Sequence, residues 1–273
     1  VSGEPHIRVE NLTMAYGDFV IQRDLTFSIG RGDIFIIMGG SGCGKSTLLR
    51  HMVGLIRPAA GRVRFRDASL WDGDDDHRAA LLRRCGVMFQ SGALWSSMTL
   101  LENVCLPLTE HTRLPARDIR EIGALKLSLV GLSGFEEFYP SEISGGMQKR
   151  AGLARAIALD PEVLFFDEPS AGLDPISARR LDDLILELRD SLGATVVVVT
   201  HELASIFAIG TNSVFLDPES RTLIATGPPS RLRDDSDDPR VVRFLTRGES
   251  EAGPTKAAGA ADASPETEKD ASS

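Results

Sequence analysis

Nine consecutive residues, Gly39, Gly40, Ser41, Gly42, Cys43, Gly44, Lys45, Ser46 and Thr47, carry the chemistry needed to grip a chain of phosphates. Glycines let the backbone turn so that successive N–H groups point inward at an anion, and a helix starting there presents the positive end of its dipole. Lys45 can then reach the β and γ phosphates of a nucleotide, while the Ser46 hydroxyl is placed to ligate Mg2+. Context separates this pattern from a chance glycine-rich turn. The run from Asp33 to Met38, apolar after its first residue, reads as a buried strand, and Thr47 to Val53 reads as a helix.

Three further apolar runs end in polar residues of the right kind: Phe89 before Gln90, Phe166 before Asp167 and Glu168, and Val199 before Thr200 and His201. In a parallel sheet the carboxyl ends lie on one edge, where open α/β folds bind ligands, so these groups are expected to meet the phosphate loop. Strand alternation sends Asp167 and Glu168 to opposite sides and gives them separate roles. Asp167 is expected to hold the metal with Ser46, through water, and Glu168 to polarise a water aimed at the γ phosphate. Gln90 can ligate the metal or position that water, and His201 can hydrogen-bond the γ phosphate. A second glycine motif, Ser144, Gly145, Gly146 and Met147, opens the helix that runs to Leu159 and offers a hydroxyl and exposed N–H groups to an anion. Ser144 is equally well suited to be an ordinary helix N-cap.

The elements that must carry these groups follow from periodicity. Residues 7 to 36 alternate as strands broken at Tyr16-Gly17-Asp18 and at Gly30-Arg31-Gly32-Asp33, which predicts a small antiparallel sheet. Arg62 to Phe65 and Gly86 to Phe89 read as strands, with a charged helix through Leu81 to Arg84 between them. From Met98 onward the strand signal gives way to helical spacing, predicting an inserted helical subdomain over about 98–155. Strands return at Val163 to Phe166 and Thr195 to Val199, separated by a helix whose apolar residues Leu181, Leu184, Ile185, Leu188 and Leu192 share a face. Continuous apolar strands separated by helices imply a largely parallel sheet covered on both sides. Ser213 to Leu216 and Thr222 to Ala225 close the core as a last strand pair. A C-terminal helical extension over about 234–247 contains Val241, Val242, Phe244 and Leu245, which need cover, and is expected to dock on a partner.

Composition narrows the class of function. A chain of 273 residues with 42% apolar residues can build a full core. Residues 248–273 hold no bulky apolar side chain and are expected to be disordered, which leaves 5–247 as the folded unit. A net charge of −9 argues against nucleic-acid binding. Nothing approaches the roughly 18 apolar residues of a membrane span, and no signal-peptide pattern is present, so a cytosolic chain is expected. Cys43, Cys85 and Cys105 have no metal-ligand spacing and read as reduced thiols.

With these residues assembled, the chain resembles the nucleotide-binding subunit of an ABC transporter over about residues 5–233. Gly39 to Thr47 matches the Walker A loop, Val163 to Glu168 the Walker B strand with its catalytic glutamate, and Ser144 to Gly146 the family signature. Gln90 matches the Q-loop, Ser170 to Asp174 the D-loop with Asp174 at its end, His201 the switch histidine and Tyr16 the aromatic that stacks on adenine. Met147 departs from the family's usual glutamine. The resemblance implies a P-loop NTPase of α/β class, with a RecA-like parallel-sheet core, an N-terminal antiparallel β subdomain and an inserted α-helical subdomain. It implies ATP and Mg2+ as ligands, ATPase activity, and a nucleotide-sandwich dimer in which the signature serves the phosphate loop of a second copy. The Ser-Gly-Gly-Met signature, with Phe89 to Leu94 and Asp238 to Leu245, is similar to the Mla-type ATPases. These drive phospholipid movement between bacterial membranes with a transmembrane permease, an MCE-domain lipid-binding protein and a small STAS-domain protein, at the cytoplasmic face of the inner membrane. The segment Ala93-Leu94-Trp95 is a candidate lever onto the permease or part of the helical packing. A soluble ABC ATPase acting on nucleic acid or ribosomes is the alternative; it lacks support from any heptad insertion, second cassette or basic tract.

Overall fold

The computed structural model describes residues 5–90 and 92–246; the expectation of disorder over 248–273 lies outside them. Two sheets organise the chain. The first is antiparallel, in the order β2-β1-β4-β5, built from β1 (Ile7–Tyr16), β2 (Phe19–Ile29), β4 (Ala60–Phe65) and β5 (Ala68–Ser69). In β1 the buried positions are Ile7 and Val9, then Leu12 and Met14. The phase slips at an irregularity between Val9 and Leu12, where Asn11 takes a positive φ of 48°, which keeps the apolar side chains on one face despite the odd spacing.

The second sheet has the order β10-β9-β3-β8-β7-β6: β3 (Ile34–Gly39), β6 (Cys85–Met88), β7 (Val163–Asp167), β8 (Thr195–Val199), β9 (Asn212–Asp217) and β10 (Thr222–Gly227). All neighbours run parallel except the β9–β10 pair. Period-two alternation divides the strands between two cores. Ile34, Ile36, Met38, Leu164, Phe166, Val196 and Val198 enter one cluster, while Phe35, Ile37, Phe165, Val197 and Val199 enter the other. The first cluster is closed by α3 (Leu100–His111), α4 (Ala116–Leu129), α5 (Gly145–Ala156) and α6 (Pro175–Leu192); the second is closed by α1 (Lys45–Met52) and the antiparallel sheet. Burial on both faces is why these strands read as unbroken apolar runs.

Thr99 and Glu102 form a capping box that fixes the start of α3. The helix α2 (Asp75–Leu82) falls where a charged helix is expected, with Asp74 accepting from His77 N at its N-cap. The short helices α7 (Leu203–Ile209) and α8 (Pro229–Asp235) were not signalled by periodicity, because seven residues hold barely two turns of a pattern. The last helix, α9 (Pro239–Thr246), is amphipathic as expected, but its cover comes from this chain. Val241 and Leu245 are buried in the first core, and the Phe244 ring meets Phe215 of β9 edge-on at 5.1 Å. Arg240 of α9 also pairs with Asp217 at the end of β9, at 2.8 Å. The apolar face expected to dock on a partner is therefore already occupied.

Candidate functional site

The carboxyl ends of β3, β8, β7 and β6 lie side by side, with Ile37 opposite Val199, Asp167 opposite Val199 and Met88 opposite Phe166. The sheet register thus delivers the phosphate loop, His201, the Asp167-Glu168 pair and Gln90 to one edge. A cleft of about 640 Å3 opens there, lined by Gly39, Gly40, Ser41, Gly42, Gly44, Lys45, Ser46 and Thr47 from the loop and by Gln90, Glu168 and His201. Tyr16 and Phe19 flank it from the first hairpin.

The loop is held from behind. A Cβ at Gly39 would stand 2.3 Å from the carbonyl oxygen of Leu216, and one at Gly44, where φ is +94°, would meet Ile21 at 2.7 Å, so only glycine permits this close seating. Lys45 Nζ folds over the loop and donates to the carbonyls of Gly39 at 3.0 Å and Gly40 at 2.9 Å. No side chain caps the start of α1, and its first residues line the cleft. Cys43 turns its side chain into the second core, away from the cleft, which a residue expected to act through its backbone can do. Burial pushes its thiol pKa up, and its backbone carbonyl accepts from Gln22 Nε2 at 2.8 Å.

Ser46 Oγ donates to Asp167 Oδ1 at 2.8 Å, which joins the hydroxyl and carboxylate as two hard oxygen donors at the loop's exit. Among the described residues no group of three or more His, Cys, Asp or Glu side chains gathers to cage a metal. Such a sparse oxygen set suits a magnesium ion that keeps several waters and takes phosphate oxygens. Asp167 and Glu168 are separated by a sharper device than strand alternation. The strand ends at Asp167, and Glu168 adopts a left-handed φ of 49°, so the chain turns between the two carboxylates. Glu168 is buried; its Oε1 pairs with His201 Nδ1 at 2.7 Å, while Oε2 has no hydrogen-bond partner among the described residues. Glu168 is therefore held by the histidine rather than left free. A water that reached Oε2 would find an acceptor with no protein donor on it.

The signature residues stand elsewhere. Ser144, Gly146 and Met147 line a second cleft, of about 610 Å3, together with Arg150 and Arg180, and the two clefts share no lining residue. Gly145 is exposed beside them. Ser144 is the N-cap of α5, its Oγ accepting from Met147 N at 3.3 Å; the hydroxyl proton remains available for another acceptor, so capping and anion contact are compatible. Asp174 caps α6, accepting from the N–H groups of Ile176 and Ser177, each at 3.0 Å, and lines neither cleft. In the segment after Gln90, Leu94 packs on the first core while Trp95 is 58% exposed, so the apolar triplet is divided between packing and surface.

Three contributors escaped the sequence. Phe19 lines the cleft beside Tyr16, with Arg221 stacked 5.1 Å from its ring centre. Gln22 is fully buried and bridges the carbonyls of Cys43 and Asp217. Lys149 is buried next to Gln90 and Glu168. Only Phe19, an aromatic beside a turn, carried a readable signal; Gln22 and Lys149 look like solvent-facing residues in the string of letters.

Comparison with known proteins agrees with this geometry. A family profile described as ABC transporter matches residues 22–171. The chain is 42% identical over 256 residues to the intermembrane phospholipid transport system ATP-binding protein MlaF of Haemophilus influenzae, covering 92% of this chain and 93% of the relative. It is 39% identical to MlaF of Escherichia coli K12, with 88% of each chain covered. It is also 39% identical to the probable ribonucleotide transport ATP-binding protein mkl of Mycobacterium tuberculosis, covering 88% of this chain and 66% of that one. Among solved structures, cbiO1 from Clostridium perfringens, part of the ABC transporter complex cbiONQ, superposes with a TM-score of 0.77 at 26% identity, covering 92% of this chain and 98% of the other. A dimeric ATP-binding cassette in a post-hydrolysis state with ADP and Pi superposes with a TM-score of 0.73 at 30% identity, covering 81% and 97%. The chain belongs to the ABC transporter family, as one of its ATP-binding, ATP-hydrolysing cassettes.

Proposed function

We propose that this cassette hydrolyses ATP at sites shared between two copies of the chain and thereby energises phospholipid movement between bacterial membranes through a separate transmembrane permease. In this reading the triphosphate lies along Gly39 to Thr47, with Lys45 exchanging its carbonyl contacts for phosphate oxygens and Tyr16 stacking on adenine. Ser46 and Asp167, joined at 2.8 Å, are the residues that would hold Mg2+, and Gln90 can add an oxygen. Bound there, the ion would neutralise charge on the β and γ phosphates. Glu168 takes the proton of the attacking water, and His201 holds the carboxylate in place through its 2.7 Å contact. Ser144, Gly145, Gly146 and Met147 of a second copy supply N–H and O–H donors to the transferring phosphate, a task given to an arginine finger in other NTPases. Asp174, the N-cap of α6, is assigned in this reading to the contact between copies.

The substrate assignment rests on one observation, the 42% identity to MlaF of Haemophilus influenzae across almost the full length of both chains. In this reading the partners are a permease, an MCE-domain lipid-binding protein and a small STAS-domain protein, and the chain sits peripherally on the cytoplasmic face of the inner membrane. Among the described residues no helix is long and apolar enough to cross a membrane; this reading takes the spanning part from the permease. The similarity to mkl, whose name gives ribonucleotide transport, supports a second reading with the same ATPase chemistry. The test is ATPase activity of the complex purified with its permease into vesicles. Stimulation by phospholipid acceptor vesicles supports the first reading; stimulation by ribonucleotides alone supports the second.

A further inference from the structure

The helix that begins at the Ser144 turn reaches the hydrolytic edge through its own body. Lys149 of α5 is only 8% exposed, and its Nζ donates to the backbone carbonyl of Gln90 and, at 3.3 Å, to that of Glu168. A buried ammonium is costly unless such acceptors surround it. Burial pulls the Lys149 pKa below the ordinary lysine value, with the Glu168 charge opposing the shift.

Both carbonyls follow adjacent strands of the second sheet, Gln90 after β6 and Glu168 after β7, but the loop that begins at Gln90 also rests on the helical layer. The Gln90 loop is laid on α5: Arg155 donates to the carbonyls of Gly92 at 2.9 Å and Ala93 at 2.8 Å, and a Cβ at Gly152 would meet the Gly92 Cα at 3.1 Å. Glu168 belongs to the sheet, its N–H donating to Val199 at 2.8 Å and its carbonyl accepting from Ala171 N at 3.2 Å. Its left-handed φ of 49° is an uncommon conformation for a side-chain-bearing residue and persists only where several contacts fix it. Lys149 is the contact that comes from the helical layer.

We propose that Lys149 is a positioning residue for hydrolysis: its ammonium, carried on α5, ties together the Gln90 carbonyl beyond β6 and the Glu168 carbonyl beyond β7, so that the hydrolytic carboxylate is in register only while the helical layer is docked on the sheet. The inference rests on the reading of Glu168 as the base. Lys149→Met keeps an unbranched stem one atom shorter and removes the donors. It is expected to lower kcat about 30-fold, in line with the cost of a displaced catalytic group, with ATP affinity within about twofold of the parent. Lys149→Arg, which keeps donors, is expected to recover most of that loss. In a Glu168→Gln background, Lys149→Met should cost nothing further, because the group it positions is already gone. A parent-like kcat in Lys149→Met, equal losses in kcat and ATP affinity, or an undiminished loss in the Glu168→Gln background would each overturn the proposal. If Lys149→Met does not fold, Lys149→Gln, with a shorter and uncharged amide donor, takes its place: reduced kcat at unchanged affinity supports the role and parent kcat removes it. A Glu168→Gln variant that turns over normally would sink the base assignment itself, whatever Lys149 does.

Discussion

Glu168 shows what one residue's conformation decides. Its left-handed backbone turns the chain out of the sheet immediately after Asp167, leaving one carboxylate on Ser46 and the other on His201. The presence of two adjacent acids at a strand end was legible in the sequence, as were the phosphate loop and His201, because each has a distinctive type and spacing. The turn between the acids was not legible, since a positive φ in glutamate is set by tertiary contacts rather than by the residue itself. The same blindness covers Lys149 and Gln22, polar residues whose partners are backbone carbonyls distant in sequence. Glu168→Gln keeps the size and the contact with His201 while removing the base. Turnover should fall by at least about 100-fold, with ATP binding retained, as measured by single-turnover hydrolysis and nucleotide titration.

At the level of elements, the apolar packing that joins the two sheets is edged by a set of polar contacts around His6. Its Nδ1 lies 2.7 Å from Thr195 Oγ1, which in turn accepts from Gly32 N at 3.0 Å, so β1, the turn before β3 and β8 meet at one ring. Glu162 stands 3.5 Å from Nε2 and also takes Arg66 and Arg84. Burial, then the Arg66 charge, lower the His6 pKa below its ordinary 6.5, with Glu162 opposing them and Arg31 adding to them. His51, buried under the second core, is lowered by burial as well, against the opposing carbonyl of Ile56. A histidine with a depressed folded-state pKa binds fewer protons folded than unfolded, so stability rises with pH across that interval. The chain should therefore lose stability as pH falls below about 6.5, and His6→Gln should flatten part of that acid limb in melting curves taken from pH 7.5 down to 5. A limb unchanged in the variant would remove His6 from this role. The sequence predicted both sheets but not this polar edge, because a histidine beside a strand has no pattern of its own.

For the molecule as a whole, the separation of the two clefts sets the rule of assembly. One chain offers the phosphate loop and Glu168 in one place and Ser144 in another, with no lining residue in common. If each site draws on both copies, paired variants distinguish the arrangements. A dimer with Lys45→Ala in one copy and Ser144→Arg in the other keeps one complete site and about half the parental ATPase rate, whereas both changes in a single copy destroy both sites. Sites built within one chain give the opposite result. The far end of the described chain also bears on the first cleft. Arg240 of α9 grips the Asp217 side chain, the Asp217 carbonyl takes Gln22, and Gln22 takes the carbonyl of Cys43 in the phosphate loop. A protein shortened before Asp238 would thus be a different catalyst rather than a trimmed one, because the buttress under its nucleotide cradle would have lost its outermost strut.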